Sequence, residues 1–163
     1  MKRLSTLGLI LIVLSACSPA PDTQTLTTDN SMNNESNEPN AGQAFLEANA
    51  KQEGVTVTAS GLQYLVMQSG SGKTPGPRDT VSAHYHGTFI DGSVFDSSVE
   101  RGAPLNIPVN GVISGWTEAL QLMQEGDKWK LFVPSELAYG KNGVGPIPAD
   151  TALIFEVELI EVK

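Results

Sequence analysis

The sequence predicts an α+β fold: an antiparallel sheet of five or six strands with one short helix packed on one face. Two observations carry this reading. From Leu62 onward apolar residues alternate with a period of two, in runs separated by turn residues. Among those runs one segment, NGVISGWTEALQLM (110–123), has helical spacing instead. There Trp116, Ala119, Leu120 and Met123 fall at i, i+3, i+4 and i+7, one apolar face. The chain's 163 residues suit a single domain.

The elements follow in order. AGQAFLEANAKQE (41–53) is rich in helix formers and stops at Gly54, so a short connecting helix is placed at 41–54. Leu62, Tyr64 and Val66 then alternate in GLQYLVMQ. TVSAHYHGT puts Val81, Ala83 and Tyr85 on one face, and Ser82, His84 and His86 on the other. Leu105, Ile107 and Val109 alternate next, and KWKLFV follows. The last run, TALIFEVELIEVK, has Leu153, Phe155, Val157 and Leu159 on one face and a mixed opposite face. Gly70-Ser-Gly72, Pro75-Gly-Pro77, Asp91-Gly92, Gly126-Asp127 and Gly143 to Pro148 are the turns between. Glu118 is placed in the first turn of the Trp116 helix, where the helix dipole favours an anion.

The N-terminal residues read differently. Met1-Lys2-Arg3 is basic, and LSTLGLILIVL after it is far shorter than the ~20 apolar residues a spanning helix needs. Residues 1–16 are read as a secretory signal. Leu14-Ser15-Ala16-Cys17 resembles the bacterial lipobox, in which the Cys is acylated and becomes the mature N-terminus. Cys17 is the only Cys in the chain, so an internal disulfide is impossible. Multiple acyl chains would give stable membrane anchoring. Ser18, where inner-membrane signals carry Asp, implies by the same resemblance an outer-membrane lipid anchor in a bacterial envelope, facing the periplasm or the cell surface. The rest of 17–40 is rich in Ser, Thr, Asn and Pro and is expected to be a disordered tether.

Composition excludes some partners. The net charge is -8 with no basic stripe, a poor match for nucleic acid. No nucleophile–base set, P-loop or H-E-x-x-H motif is present. His84 and His86, at i, i+2 on one strand face, have the residue type for a metal but no further ligands at short spacing. They are read as a solvated strand face.

What remains is a set of aromatic and aliphatic residues beside turns. HYHGTFIDGSVFDSS, VNGVISGWTEAL, ELAYG and ALIFEVELI occur in the order and spacing of the FKBP-type peptidyl-prolyl cis-trans isomerases. The likeness covers 61–163, and AFLEANAKQEGV resembles the connecting helix of the macrophage infectivity potentiator group. The long helical dimerisation region usual there is not seen, which implies a monomer. The resemblance implies a twisted sheet wrapped around the helix and a pocket for the substrate proline. Trp116 would be its floor, and Tyr85, Phe95, Val112, Ile113, Tyr139 and Phe155 its walls. Asp96 would be the polar group at the rim, and Ile147 part of a flap over it. Gly115 would let the chain turn tightly into the helix. Leu105 stands where many members have an aromatic wall, which implies either a weaker pocket on that side or a changed preference for the residue before proline. The Ile113 N–H, the Tyr139 hydroxyl and the Asp96 carboxylate would hold the substrate. No metal or cofactor is implied; X-Pro segments of protein substrates and macrolides of the rapamycin type are. Two functional readings stay open on residues alone: an isomerase assisting folding outside the cytoplasm, and a binding or chaperone module using the same pocket without turnover.

Overall fold

The structure, a computed structural model, describes residues 40–163. The signal, Cys17 and the tether (up to residue 39) lie outside the described residues. The elements run α1 (Ala41–Asn49), β1 (Val55–Val57), β2 (Gln63–Gln68), β3 (Thr80–Thr88), β4 (Val94–Ser97), β5 (Leu105–Pro108), α2 (Ser114–Leu120), β6 (Lys128–Val133) and β7 (Leu153–Val162). All strand pairs are antiparallel, in the order β1-β2-β6-β7-β3-β4, with β5 also on β3. β4 and β5 share one edge of β3: β4 pairs with His86–Thr88 and β5 with Thr80–Ala83.

The sheet has seven strands, not five or six. Two short strands lie outside the alternating runs: β1 and β4 are too short to display a period and hold their places by pairing with β2 and β3. The expected inward faces are buried: Val81, Ala83 and Tyr85 on β3, and Leu153, Phe155, Val157 and Leu159 on β7. Trp116, Ala119, Leu120 and Met123 are buried with them, so α2 fills the concave side of the sheet.

α1 ends earlier than the sequence suggested. It stops at Asn49, and residues 50–54 form turns that finish at Gly54, whose φ is +81°. The Asn40 side chain caps it by accepting from Gln43 N–H at 2.8 Å. Its Asn49 is tied to the sheet, with Nδ2 donating to Gln63 Oε1 at 2.8 Å. Glu118 also differs: it is the fifth residue of α2, beyond the first turn, and accepts from Ser60 Oγ at 2.6 Å.

Gly115 has a role other than the expected one. It lies inside α2 with no unusual backbone angle. A Cβ there would sit 2.6 Å from Val133 Cγ1, so this glycine lets α2 approach β6 closely.

Candidate functional site

A cavity of about 430 Å³ opens between α2 and the β3–β4–β7 region. Its lining is Tyr85, Phe95, Asp96, Leu105, Ile107, Gly111, Val112, Ile113, Trp116, Tyr139 and Phe155. Residues from five separate stretches of chain meet here.

The aromatic frame is set by the pleat. Tyr85 on β3 and Phe155 on β7 both face inward, and each meets the Trp116 ring edge-on, at 5.4 Å and 5.5 Å between centroids. Phe95 adds a third edge-on contact, 5.5 Å from Phe155. Gly87 makes room for that pair: a Cβ on it would lie 2.7 Å from Phe95 Cζ and 3.1 Å from Phe155 Cε1. The indole of Trp116 is buried, and its Nε1 has no hydrogen-bond partner among the described residues.

Polar groups gather on one side. The Tyr85 hydroxyl donates to Asp96 Oδ2, and Arg101 Nη1 donates to Asp96 Oδ1. Arg101 Nη2 donates to the Tyr85 oxygen at 2.8 Å, and the guanidinium lies 5.5 Å from the Tyr85 ring centre. Burial pushes the Asp96 carboxyl up, but the hydrogen bonds from Tyr85 and Arg101 and the guanidinium charge outweigh it, holding it below the usual carboxylate range. Tyr85 is pushed up, first by burial and then by its bond to Asp96. Tyr139 is pushed up by burial and by the Asp96 charge.

The turn before α2 presents backbone. Ile113 is the N-cap, and its carbonyl accepts from Trp116 and Thr117 N–H, both at 3.0 Å. Thr117 Oγ1 donates to Val109 O at 2.8 Å and ties the 3-10 turn Val109–Gly111 to the helix.

Of the residues singled out from sequence, Tyr85, Phe95, Asp96, Leu105, Val112, Ile113, Trp116, Tyr139 and Phe155 line this cavity together. Ile147 does not. Paired backbone bonds with Val144, at 2.9 and 2.8 Å, close the loop tip, and the Ile147 side chain is buried in the core while Val144 is half exposed. Ile107, Gly111 and Arg101 were missed. Ile107 read only as part of a strand; Arg101 sits in a turn with no motif to mark it. His84 and His86 lie on the other face of β3, their Nδ1 atoms each 3.0 Å from a serine Oγ, of Ser98 and Ser97. Among the described residues no three His, Cys, Asp or Glu side chains gather as a metal-ligand set.

Comparison with known proteins gives two family matches. Residues 71–160 match the family described as FKBP-type peptidyl-prolyl cis-trans isomerase, and residues 19–66 match the domain amino terminal to it. The chain is 54% identical over 122 residues to the FKBP-type peptidyl-prolyl cis-trans isomerase FkpA of Aeromonas hydrophila, a match covering 75% of this chain and 46% of that one. It is 52% identical over 123 residues to the outer membrane protein MIP of Legionella longbeachae, covering 75% and 53%. Among solved structures, a peptidyl-prolyl cis-trans isomerase from Pseudomonas syringae pv. tomato aligns with a TM-score of 0.72 at 38% identity, covering 77% of this chain and 92% of that one. The chain spans about half the length of the curated relatives it matches.

Proposed function

The chain belongs to the FKBP-type peptidyl-prolyl cis-trans isomerase family, and from that membership we propose that its folded domain catalyses rotation about X-Pro peptide bonds of protein substrates. The observation that carries the proposal is the aromatic cavity over Trp116 with a polar group at only one side.

Rotation needs no nucleophile. A planar amide owes its ~18–20 kcal/mol barrier to resonance, which places charge on O and N. Twisting the bond to proline removes that charge separation. A cavity walled by Tyr85, Phe95, Trp116 and Phe155 disfavours the planar, charge-separated amide more than the twisted one, so the transition state is the better-bound form. Each ~1.4 kcal/mol of that difference is tenfold in rate. Trp116 underlies the proline ring, Val112 is part of the wall around it, and Leu105 faces the residue before it. The Ile113 N–H and the Tyr139 hydroxyl donate to the substrate backbone. Asp96, fixed by Tyr85 and Arg101, holds the substrate at the polar rim of the cavity.

The isomerase acts outside the cytoplasm, held by a lipid on Cys17 to the outer membrane of a bacterial envelope. The lipobox-like Leu14-Ser15-Ala16-Cys17 and the likeness to the Legionella outer membrane protein support this reading. The same cavity takes macrolides of the rapamycin type. The chain acts as a monomer.

Refolding tests the activity. Added chain should accelerate the slow phase of a protein limited by prolyl isomerisation, which is ~10–100 s uncatalysed, in proportion to its concentration. A slow phase indifferent to added chain would contradict it.

A further inference from the structure

The loop between Val133 and Leu153 carries Tyr139, and α1 is seated on both of its roots. The inward residues of α1 are Gly42, Phe45, Leu46 and Asn49, at i, i+3, i+4 and i+7. At the β7 root the contact is close. A Cβ on Gly42 would lie 3.0 Å from Ala152 Cβ and 3.2 Å from Ala152 N. At the β6 root the Phe45 and Phe132 rings are 6.0 Å apart. Gln63 Nε2, on the neighbouring strand β2, donates to Leu46 O at 2.9 Å and ties the helix to the sheet beyond β6. A cleft of about 120 Å³ beside the helix is lined by Pro134, Ser135 and Glu136 from one root and by Asp150 and Ala152 from the other.

The contact continues towards the cavity. Asp150 N–H donates to Gly140 O at 2.9 Å, and Gly140 follows Tyr139 directly. Asp150 has φ +53°, in the left-handed region that Asp visits more readily than most residues. Asn40, the N-cap of α1, donates from Nδ2 to Asp150 O at 3.5 Å. A continuous path of packed and hydrogen-bonded groups therefore joins Gly42, Ala152, Asp150, Gly140 and Tyr139.

We propose that α1 braces the loop and that Gly42 is a positioning residue for Tyr139, acting through Ala152 and Asp150. The proposal rests on the isomerase reading, because it assigns the braced hydroxyl to the substrate.

The test uses the chain as it stands and two readouts. Isomerase activity of the parent is measured first; an inactive parent overturns the isomerase reading, while the loop readout still judges the brace. Gly42→Val should lift α1 from Ala152. Amide exchange across 139–150 should then quicken while β3, β6 and β7 keep their protection, and kcat/KM should fall about three- to tenfold. The exchanged pair Gly42→Ala with Ala152→Gly restores one Cβ at the contact and should behave as the parent. If Gly42→Val does not fold, Phe45→Ala loosens α1 at Phe132 without adding a clash and gives the same two readouts. Unchanged loop exchange, or faster loop exchange with parental kcat/KM, overturns the proposal. So does a loss of activity without a change in the loop.

Discussion

The Tyr85 hydroxyl donates to Asp96 Oδ2, so the ring that walls the cavity and the carboxylate at its side are one hydrogen-bonded unit. Arg101 closes the unit by donating to both. The Asp96 carboxylate therefore has a fixed direction before any substrate arrives.

Arg101→Met tests whether that direction matters. Both side chains of the Arg101–Asp96 pair are about half exposed, at 51% and 43%, so solvent screens the pair and it contributes little to stability. The expected result is a shift in Tm of a few degrees at most and a fall of about three- to tenfold in kcat/KM. A parental rate would remove Arg101 and the fixed carboxylate from the mechanism.

Acid and alkaline limits follow from the same unit. Asp96 is held below the usual carboxylate value, so its contribution to stability is complete above the ordinary value of ~4 and is lost as the pH falls through its lowered folded value. Tyr85 and Tyr139 are raised, so their contribution is complete below ~10 and is lost as the pH rises through their folded values. A profile of kcat/KM that is flat from about pH 5 to 9 is expected. A bell centred inside that window would mean that another titrating group controls the rate.

Trp116 separates volume from chemistry. Trp116→Ala empties the floor of the cavity and should cost ~3–5 kcal/mol in chemical denaturation. Trp116→Phe keeps a ring and removes a buried N–H that has no partner among the described residues, so it should cost under ~2 kcal/mol. Its isomerase rate should still fall, because the smaller ring leaves the floor incomplete. Equal destabilisation by the two substitutions would contradict this account of the floor.

Gly115→Ala weighs helix propensity against packing. Alanine favours the helix by up to ~1 kcal/mol, but its Cβ would meet Val133 Cγ1 at 2.6 Å, and overpacking of that kind costs ~1–3 kcal/mol. A net loss of stability is expected, relieved in the double variant with Val133→Ala. A stabilised Gly115→Ala would show that α2 can move away from β6 freely.

Much of this architecture was legible in the residues. β3 and β7 are long enough to display a period of two, and α2 with the turn after it carries four apolar residues at helical spacing, the last of them, Met123, beyond the helix end at Leu120, so their inward faces could be read directly. β1 has three residues and no readable period. The end of α1 is fixed by the Asn49–Gln63 bond, a contact across 14 positions that propensity does not contain. The aromatic members of the cavity followed from motif resemblance. Arg101 did not, because its role comes from reaching back to Tyr85, 16 positions away. The resemblance implied a flap position for Ile147, but two backbone bonds to Val144 close the loop tip and its side chain is buried in the core. Gly87 and Gly115 lie within the motifs that carried the resemblance, but the space they leave for Phe95, Phe155 and Val133 shows only in the packing.

The central claim is rotation of an X-Pro bond within the Trp116 cavity. NMR exchange between the cis and trans forms of a short X-Pro peptide measures it without a coupling enzyme or a refolding protein. With catalytic amounts of the chain, exchange should be faster than the uncatalysed ~10–100 s process. A rapamycin-type macrolide should return the rate to the uncatalysed value, and Asp96→Ala with Tyr139→Phe should lower it in a chain that stays folded. Exchange that is no faster with the chain than in buffer would contradict the account.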